Sequence, residues 1–173
     1  LEALGAPWVD ARAAELAWRR VRAQHALDSA GVGDEVLEAR YRTGPALELT
    51  VRHLLVFSAR YETESTRTAA RNKAEAALER IRAGEPFPRV AAEVSEEPGA
   101  ESREGLLTPG REGAWVPEFW RAATALEPGE ISPVVETQYG FHILRLEGRE
   151  VVPFEEARSS VGRPVADQVG DPT

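Results

Sequence analysis

The stretch TQYGFHILRL, residues 137–146, places one histidine, His142, in an alternating and partly apolar segment. Alternation with period 2 is typical of a strand that buries one face, and Gly140 favours a tight turn before it. The preceding stretch ISPVVE, residues 131–136, follows the turn EPGE and is also strand-like. These two segments therefore predict two adjacent strands, one of which carries His142.

A second histidine lies in a similar pattern far upstream. In ELTVRHLLVFS, residues 48–58, four side chains fall on one face of a period-2 pattern, namely Val51, His53, Leu55 and Phe57. A lone histidine on such a face is either a hydrogen-bonded core residue or part of a functional site. The pattern alone leaves both alternatives open.

The N-terminal part of the chain is helical in pattern. A first helix is predicted by apolar residues at helical spacing, Val9, Ala13, Leu16, Ala17 and Val21. Asp34 is expected to cap a second, shorter helix, which closes at the TGP of residues 43–45. The period then changes from that of a helix to that of a strand, so we expect a domain boundary there.

Helical spacing returns downstream of the first strand. We expect an alanine-rich helix through Ala70 and Ile81, a short helix after Pro86, another helix after Pro117 and a terminal helix within residues 153–169. Between them, residues 95–116 show no clear period and hold several glycines, prolines and serines. A loop of that length is typical of a functional segment.

Composition limits the classes of function. The 173 residues, 42% of them hydrophobic, suffice for one core and a small second one, and no run is long enough to cross a bilayer. A formal net charge of -8 disfavours binding to nucleic acid or to acidic membrane surfaces. The absence of cysteine excludes disulfides and thiolate sites. The chain begins at Leu1 and lacks methionine, so we expect a processed product or a fragment, with any signal peptide or anchor outside it.

Five strings occur in one order along the chain: VRHLLV (51–56), AGEPFPRVAAEVSEEPGA (83–100), WVPEF (115–119), LEPGEISPVVET (126–137) and YGFHILRL (139–146). Together they resemble the parvulin-type, PpiC-like peptidyl-prolyl cis-trans isomerase domain, from about Leu49 to Arg149. The leading AGVGDEVLEARYRTG, residues 30–44, resembles the end of the helical chaperone region that precedes this domain in bacterial cell-envelope foldase chaperones.

The resemblance implies an α+β fold, in which a small antiparallel sheet of about four strands is surrounded by helices and preceded by a helical segment. It also implies three parts of the chain. These are a helical, chaperone-like segment at 1–46, the parvulin-like isomerase domain at 47–150 and a C-terminal helix or tail at 151–173.

The resemblance further implies a polar site. His53 and His142 match the paired strand histidines that lie beneath the family's active site, whereas a purely structural role in strand packing is the alternative. Glu97 matches a position that faces the susceptible bond, and we expect its pKa to be raised by partial desolvation beside Glu96; a solvated acidic loop is the alternative. Thr137 matches a hydroxyl residue that bonds the histidines or the substrate, or else caps the turn before the second strand.

The proline-binding positions carried over are Leu55, Leu107, Trp115 and Phe119, for which ordinary core packing is the alternative. Many family members have a Gly-Asp-Leu-Gly signature in the long loop and a methionine two residues before the proline of PEF. This chain has GLLTPG at residues 105–110 and Trp115 instead. We therefore expect Leu107 to be loosely held, and Trp115 either to line the pocket or to fill it.

The implied function is peptidyl-prolyl cis-trans isomerisation in protein folding, without cofactor or metal. The expected partners are unfolded or proline-containing polypeptides and not nucleic acid, with contact to a membrane only through an anchor outside this chain. The implied location is the cell envelope or periplasm, with the cytoplasm as the alternative. Two further alternatives for the function are a catalytically silent parvulin-like chaperone module that binds unfolded or extended chains and a purely structural or assembly domain.

Overall fold

The computed structural model describes Val21, His25 and residues 32–169. Its contacts form two compact units, one comprising Leu47–Glu150 and the other the described residues before and after that range. The helix predicted through Val9 and its neighbours lies outside the described residues, apart from Val21. Along the chain the elements are α1 (Asp34–Thr43), β1 (Leu47–Phe57), α2 (Glu64–Arg82), α3 (Phe87–Val94), α4 (Ala100–Arg103), β2 (Gly110–Arg111), α5 (Pro117–Ala125), β3 (Val135–Thr137), β4 (Gly140–Val151) and α6 (Phe154–Val169).

The four strands form an antiparallel sheet in the order β2-β1-β4-β3, so the two long strands are central. At one edge β2 pairs with β1 through Gly110 and Leu49. At the other edge β3 pairs with β4 through Val135 and His142. The predicted α+β fold with four antiparallel strands is thereby confirmed.

Both faces of the sheet are buried, because alternate residues of β1 and β4 face different helices. One face packs against α2 and α3 through Leu54, Val56, Phe141 and Ile143. The other face packs against α5 through Leu49, Val51, Leu144 and Leu146. His53 and His142 belong by alternation to the α5 face, so each histidine side chain lies beneath a helix rather than in solvent.

Three helices, α2, α3 and α5, begin where the sequence offers a cap or a proline. The hydroxyl of Thr63 accepts a hydrogen bond from the amide of Thr66 at 3.3 Å and starts α2, whose buried face is largely alanine. Small alanine side chains let this helix lie close to the sheet. Pro86 is the N-cap of α3, and Pro117 is the first residue of α5.

One local prediction is wrong, and another holds only in part. The N-cap of α1 is Gly33 and not Asp34, whose carboxylate instead pairs with Arg158. In the segment 131–136, expected as a strand, Ile131 forms an isolated antiparallel bridge with Arg145 and the amide of Ser132 donates to the carbonyl of Leu144 at 2.9 Å. The strand β3 itself covers only Val135–Thr137, because Pro133 has no amide proton to continue the pairing.

Two other segments differ in detail from the sequence patterns. Phe57, the last residue on the histidine face of β1, is more than half exposed and lies outside the core. The long loop holds the short helix α4 and the two-residue strand β2. The loop is therefore built onto the edge of the sheet rather than extending from it.

The smaller unit joins α1 to α6. The hydroxyl of Tyr41 donates a hydrogen bond to the carbonyl of Val152 at 2.6 Å, and its ring contacts Phe154. The amide of Val152 donates to the carbonyl of Ala46 at 2.9 Å. Within the part of the chain that the structure describes, no helix combines the length and the apolar character needed to span a membrane.

Candidate active site

Two histidines from the central strands stack against each other. His53 of β1 and His142 of β4 have ring centroids 5.7 Å apart, and both residues are at least 95% buried. Phe119 of α5 lies edge-on to both rings, at 5.6 Å from each. The three rings form a compact cluster between the sheet and α5.

Each histidine uses its Nε2 atom for a different partner. His53 donates from Nε2 to the Oε2 atom of Glu97, and the Nε2 atom of His142 lies 2.8 Å from the hydroxyl of Thr137. The amide of Tyr139 donates to that same hydroxyl at 3.1 Å. Thr137 thus contacts the histidine and also closes the turn that follows it.

Glu97 lies on the loop between α3 and α4 and is about a quarter exposed. The hydrogen bond from His53 lowers the pKa of Glu97, and Arg103, 3.8 Å away, acts in the same direction. The expected rise in the pKa of Glu97 is therefore wrong. The reason is that Glu96 turns away to Lys73 and to the amide of Phe57, so the two carboxylates do not share one site.

Burial lowers the pKa of His142 from 6.5 to about 4, and the nearby His53 contributes in the same direction. His142 is therefore neutral at pH 7. Among the described residues, the Nδ1 atoms of both histidines have no hydrogen-bond partner.

Three of the four expected proline-binding residues lie together. Phe119 is buried, while Leu107 and Trp115 are partly exposed and pack against the same cluster. The rings of Trp115 and Phe119 are 5.1 Å apart, and Trp115 also contacts Trp120 at 5.9 Å. Leu55 is buried two residues beyond His53 on β1 but is not a member of this cluster.

The loop that carries Leu107 is fixed to β1 by backbone hydrogen bonds. The amide of His53 donates to the carbonyl of Gly105 at 2.8 Å, and the amide of Leu107 donates to the carbonyl of Val51 at 3.0 Å. The altered signature predicts a loose attachment of Leu107, and the structure shows instead that these hydrogen bonds hold it.

A shallow depression of about 410 Å³ adjoins Leu107 and is lined by Ser102, Arg103, Leu106, Leu107 and Thr108.

Two glycines shape the site, and the sequence patterns did not single them out. A Cβ atom on Gly105 would lie 2.4 Å from the carbonyl oxygen of His53, and one on Gly110 would lie 2.7 Å from the indole of Trp115. Gly110 therefore gives the indole its place beside β2. A glycine inside a strand often marks such a close approach, and that rule was the available signal.

The paired histidines, the flanking carboxylate and hydroxyl, and the apolar wall lie on one face of a four-stranded sheet. A family model described as Rotamase, PPIC-type PPIASE domain, matches residues 53–148. The chain belongs to the PPIC-type PPIase family. The resemblance seen in the five sequence strings is confirmed.

Relatives of this PPIC-type chain are named as foldases and chaperones. Foldase protein PrsA of Caldanaerobacter subterraneus subsp. tengcongensis is 36% identical over 113 residues, which are 65% of this chain and 33% of the relative. Chaperone SurA of Alkalilimnicola ehrlichii is 39% identical over 105 residues, 59% of this chain and 23% of the relative. The chain thus spans about a third or less of the length of these curated relatives.

Solved structures show the same fold. The crystal structure of the peptidylprolyl isomerase PrsA from Bacillus cereus superposes with a TM-score of 0.61 at 28% identity, covering 87% of this chain and 52% of that one. In the described part of the PPIC-type chain, no group of three or more His, Cys, Asp or Glu side chains is placed to hold a metal ion.

Proposed function

We propose that the chain catalyses cis-trans isomerisation of Xaa-Pro bonds in polypeptide clients and so assists their folding. The observation that carries the proposal is the partly exposed apolar wall of Leu107 and Trp115 directly beside the buried cluster of His53, His142 and Phe119. Membership of the PPIC-type PPIase family supports the same reaction.

The reaction requires little from the protein beyond shape and polarity. Rotation about the Xaa-Pro bond has a barrier of about 18–20 kcal/mol because it breaks amide resonance, and it takes tens to hundreds of seconds without a catalyst. An apolar pocket grips the proline ring, and it favours the twisted amide, in which charge separation is reduced. Each tenfold gain in rate needs only about 1.4 kcal/mol, so no covalent step is required.

We assign a role to each site residue from its position. Leu107, Trp115 and Phe119 hold the proline ring, and Leu55 extends the apolar surface along β1. Glu97 is the most exposed member of the polar set, and we therefore assign it the position that faces the susceptible bond. His53, His142 and Thr137 lie behind it and keep the carboxylate and the strands in place through their hydrogen bonds.

A proline-switch assay on a short Xaa-Pro peptide tests the proposal. We expect a rate above the uncatalysed one, and we expect Phe119→Ala to abolish the excess because the pocket loses its floor. Arg121→Ala, an exposed change on the same helix, serves as the control and keeps full activity. Binding of unfolded polypeptide without any acceleration would instead identify the chain as a silent chaperone module.

We also propose that the isomerase unit is residues 47–150, that the segment 1–46 helps to hold clients, and that 151–173 are a C-terminal helix or tail, within which Phe154–Val169 is helical. The foldase and chaperone relatives support polypeptide clients and a location in the cell envelope. Cell fractionation of the full-length parent protein tests the location. Recovery in the cytoplasm alone would contradict it.

A further inference from the structure

The residue before His53 makes an unusual set of contacts with the long loop. Arg52 forms an isolated antiparallel bridge with Leu106, flanked by the backbone hydrogen bonds of His53 with Gly105 and of Val51 with Leu107. The loop therefore runs along β1 as an edge strand would. The side chain of Arg52, which is only 20% exposed, returns to this same loop.

The guanidinium of Arg52 binds the end of α4. Its Nη1 atom donates to the carbonyl of Glu104 at 2.9 Å and lies 3.4 Å from the carbonyl of Arg103. Its Nε atom lies 3.2 Å from the carboxylate of Glu147 on β4. The carbonyls at a helix C-terminus lack partners within the helix and carry partial negative charge, so a cation is stabilising there. Arg52 thus connects the central strands to the loop.

The loop needs such a contact because its backbone is strained at Glu104. Glu104 has φ 51 and ψ 38, and among the described residues it is the one non-glycine residue with positive φ. A side chain in the left-handed region persists where the surrounding structure holds it there. In this chain the cation that reaches the strained residue is Arg52 of β1, through the carbonyl of Glu104.

We propose that Arg52 is a positioning residue for the isomerase reaction, a statement that rests on the proposed function. By fixing the carbonyls of Arg103 and Glu104, it sets the path of the loop up to Leu107. Leu107 packs with Trp115 and Phe119 in the cluster that receives the proline ring. Arg52 does not touch the substrate, and its effect passes entirely through the loop.

The test compares Arg52→Met, which keeps the length of the side chain and removes its donors, with Arg52→Lys and Arg145→Met. Arg145 is the matched control because it lies 3.6 Å from the same carboxylate of Glu147, and no contact joins it to the loop among the described residues. For Arg52→Met we expect kcat/KM for a short Xaa-Pro peptide to fall about tenfold when it is measured well below the unfolding temperature. For Arg52→Lys we expect a smaller fall, because its ammonium can still bind one of the two groups although it cannot bind both. Arg145→Met keeps parental activity.

Rescue separates positioning from a general loss of stability. In the Arg52→Met background, Glu104→Gly removes the strain of the left-handed residue, and we expect it to restore kcat/KM at least threefold. An unchanged kcat/KM in Arg52→Met, or a loss that Glu104→Gly does not restore, would overturn the proposal.

Amide hydrogen exchange provides a readout that does not depend on activity. In Arg52→Met, the amide of Leu107 is expected to exchange at least tenfold faster relative to the buried amide of Leu144, whereas Arg145→Met leaves this ratio unchanged. An inactive parent chain would contradict the proposed function only, and the exchange ratio would still decide whether Arg52 holds the loop. An unchanged ratio in Arg52→Met would overturn the inference.

Discussion

His53 and His142 stack with an angle of 27° between their rings, and each turns its Nε2 atom outward to a different partner. The pair therefore joins a carboxylate on one side, Glu97, to a hydroxyl on the other, Thr137. Because His142 is neutral at pH 7, this row of groups holds the strands and the loop together without placing two cations side by side.

Replacing either histidine with alanine is expected to lower stability and activity together. The loss leaves Glu97 or Thr137 without a buried partner, which costs about 1–3 kcal/mol, and opens a cavity beneath Phe119. Urea unfolding and the proline-switch assay measure the two effects on the same samples. Full activity in a well-folded double variant would remove the histidines from the mechanism.

Acid should destabilise the domain between pH 6.5 and about 4. In this window the unfolded chain binds a proton at residue 142 that the folded chain does not, because folding lowers the pKa of His142. The free energy of unfolding therefore rises with pH, and acidification from 6.5 to 4 removes on the order of 3 kcal/mol. The lowered pKa of Glu97 acts in the same direction at lower pH.

The variant His142→Phe is the control for this pH dependence. It keeps a ring beside Phe119 and removes the titrating group, so the slope of unfolding free energy against pH should flatten above pH 4.5. A slope equal to that of the parent chain would show that other groups produce the acid sensitivity.

Gly105→Ala should destabilise the domain far more than Gly113→Ala. Both glycines have positive φ, 76° and 88°, so the conformational cost of about 1–2 kcal/mol is shared. A Cβ atom on Gly105 would also overlap the carbonyl of His53, whereas one on Gly113 would meet no atom within 4 Å. Overpacking adds about 1–3 kcal/mol, to be measured by urea unfolding. Equal losses of unfolding free energy in the two variants would mean that the loop shifts enough to avoid this overlap.

Local periodicity was sufficient to predict β1 and β4 and to place His53 and His142 on them, because a buried face repeats every second residue. It could not predict the contact of Glu97 with His53, since 44 residues separate them and Glu97 lies in the segment 95–116, which has no period. The role of Arg52 was hidden for the same reason, as its partners lie about 50 residues away. Long-range contacts of loops are set by the assembled fold and not by local pattern.

No preference is expected for phosphoserine-proline or phosphothreonine-proline peptides. After β1 the exposed Arg60 stands near acidic residues in sequence, and Arg67 and Arg71 both pair with Glu136. Holding a phosphate requires about two charge-assisted contacts, which these paired arginines do not offer. Turnover of a phosphopeptide is compared with its unmodified form and with a Glu-Pro peptide. A tenfold advantage for the phosphopeptide would contradict this.

Activity of the parent chain should be measurable but weak, and the indole of Trp115 is the expected limit. It occupies the space above Gly110 and packs on Phe119, which narrows the pocket for a proline ring. Trp115→Met should therefore raise turnover about threefold, at a stability cost of about 2 kcal/mol for the smaller side chain.

Leu106→Asp with Thr108→Gly, which restores the family signature, should leave turnover unchanged, because Arg52 and the backbone already hold the loop. If the restored signature raises turnover and Trp115→Met does not, the loop and not the indole limits turnover. If the parent and both variants bind unfolded chains without accelerating isomerisation, the apolar wall serves binding alone.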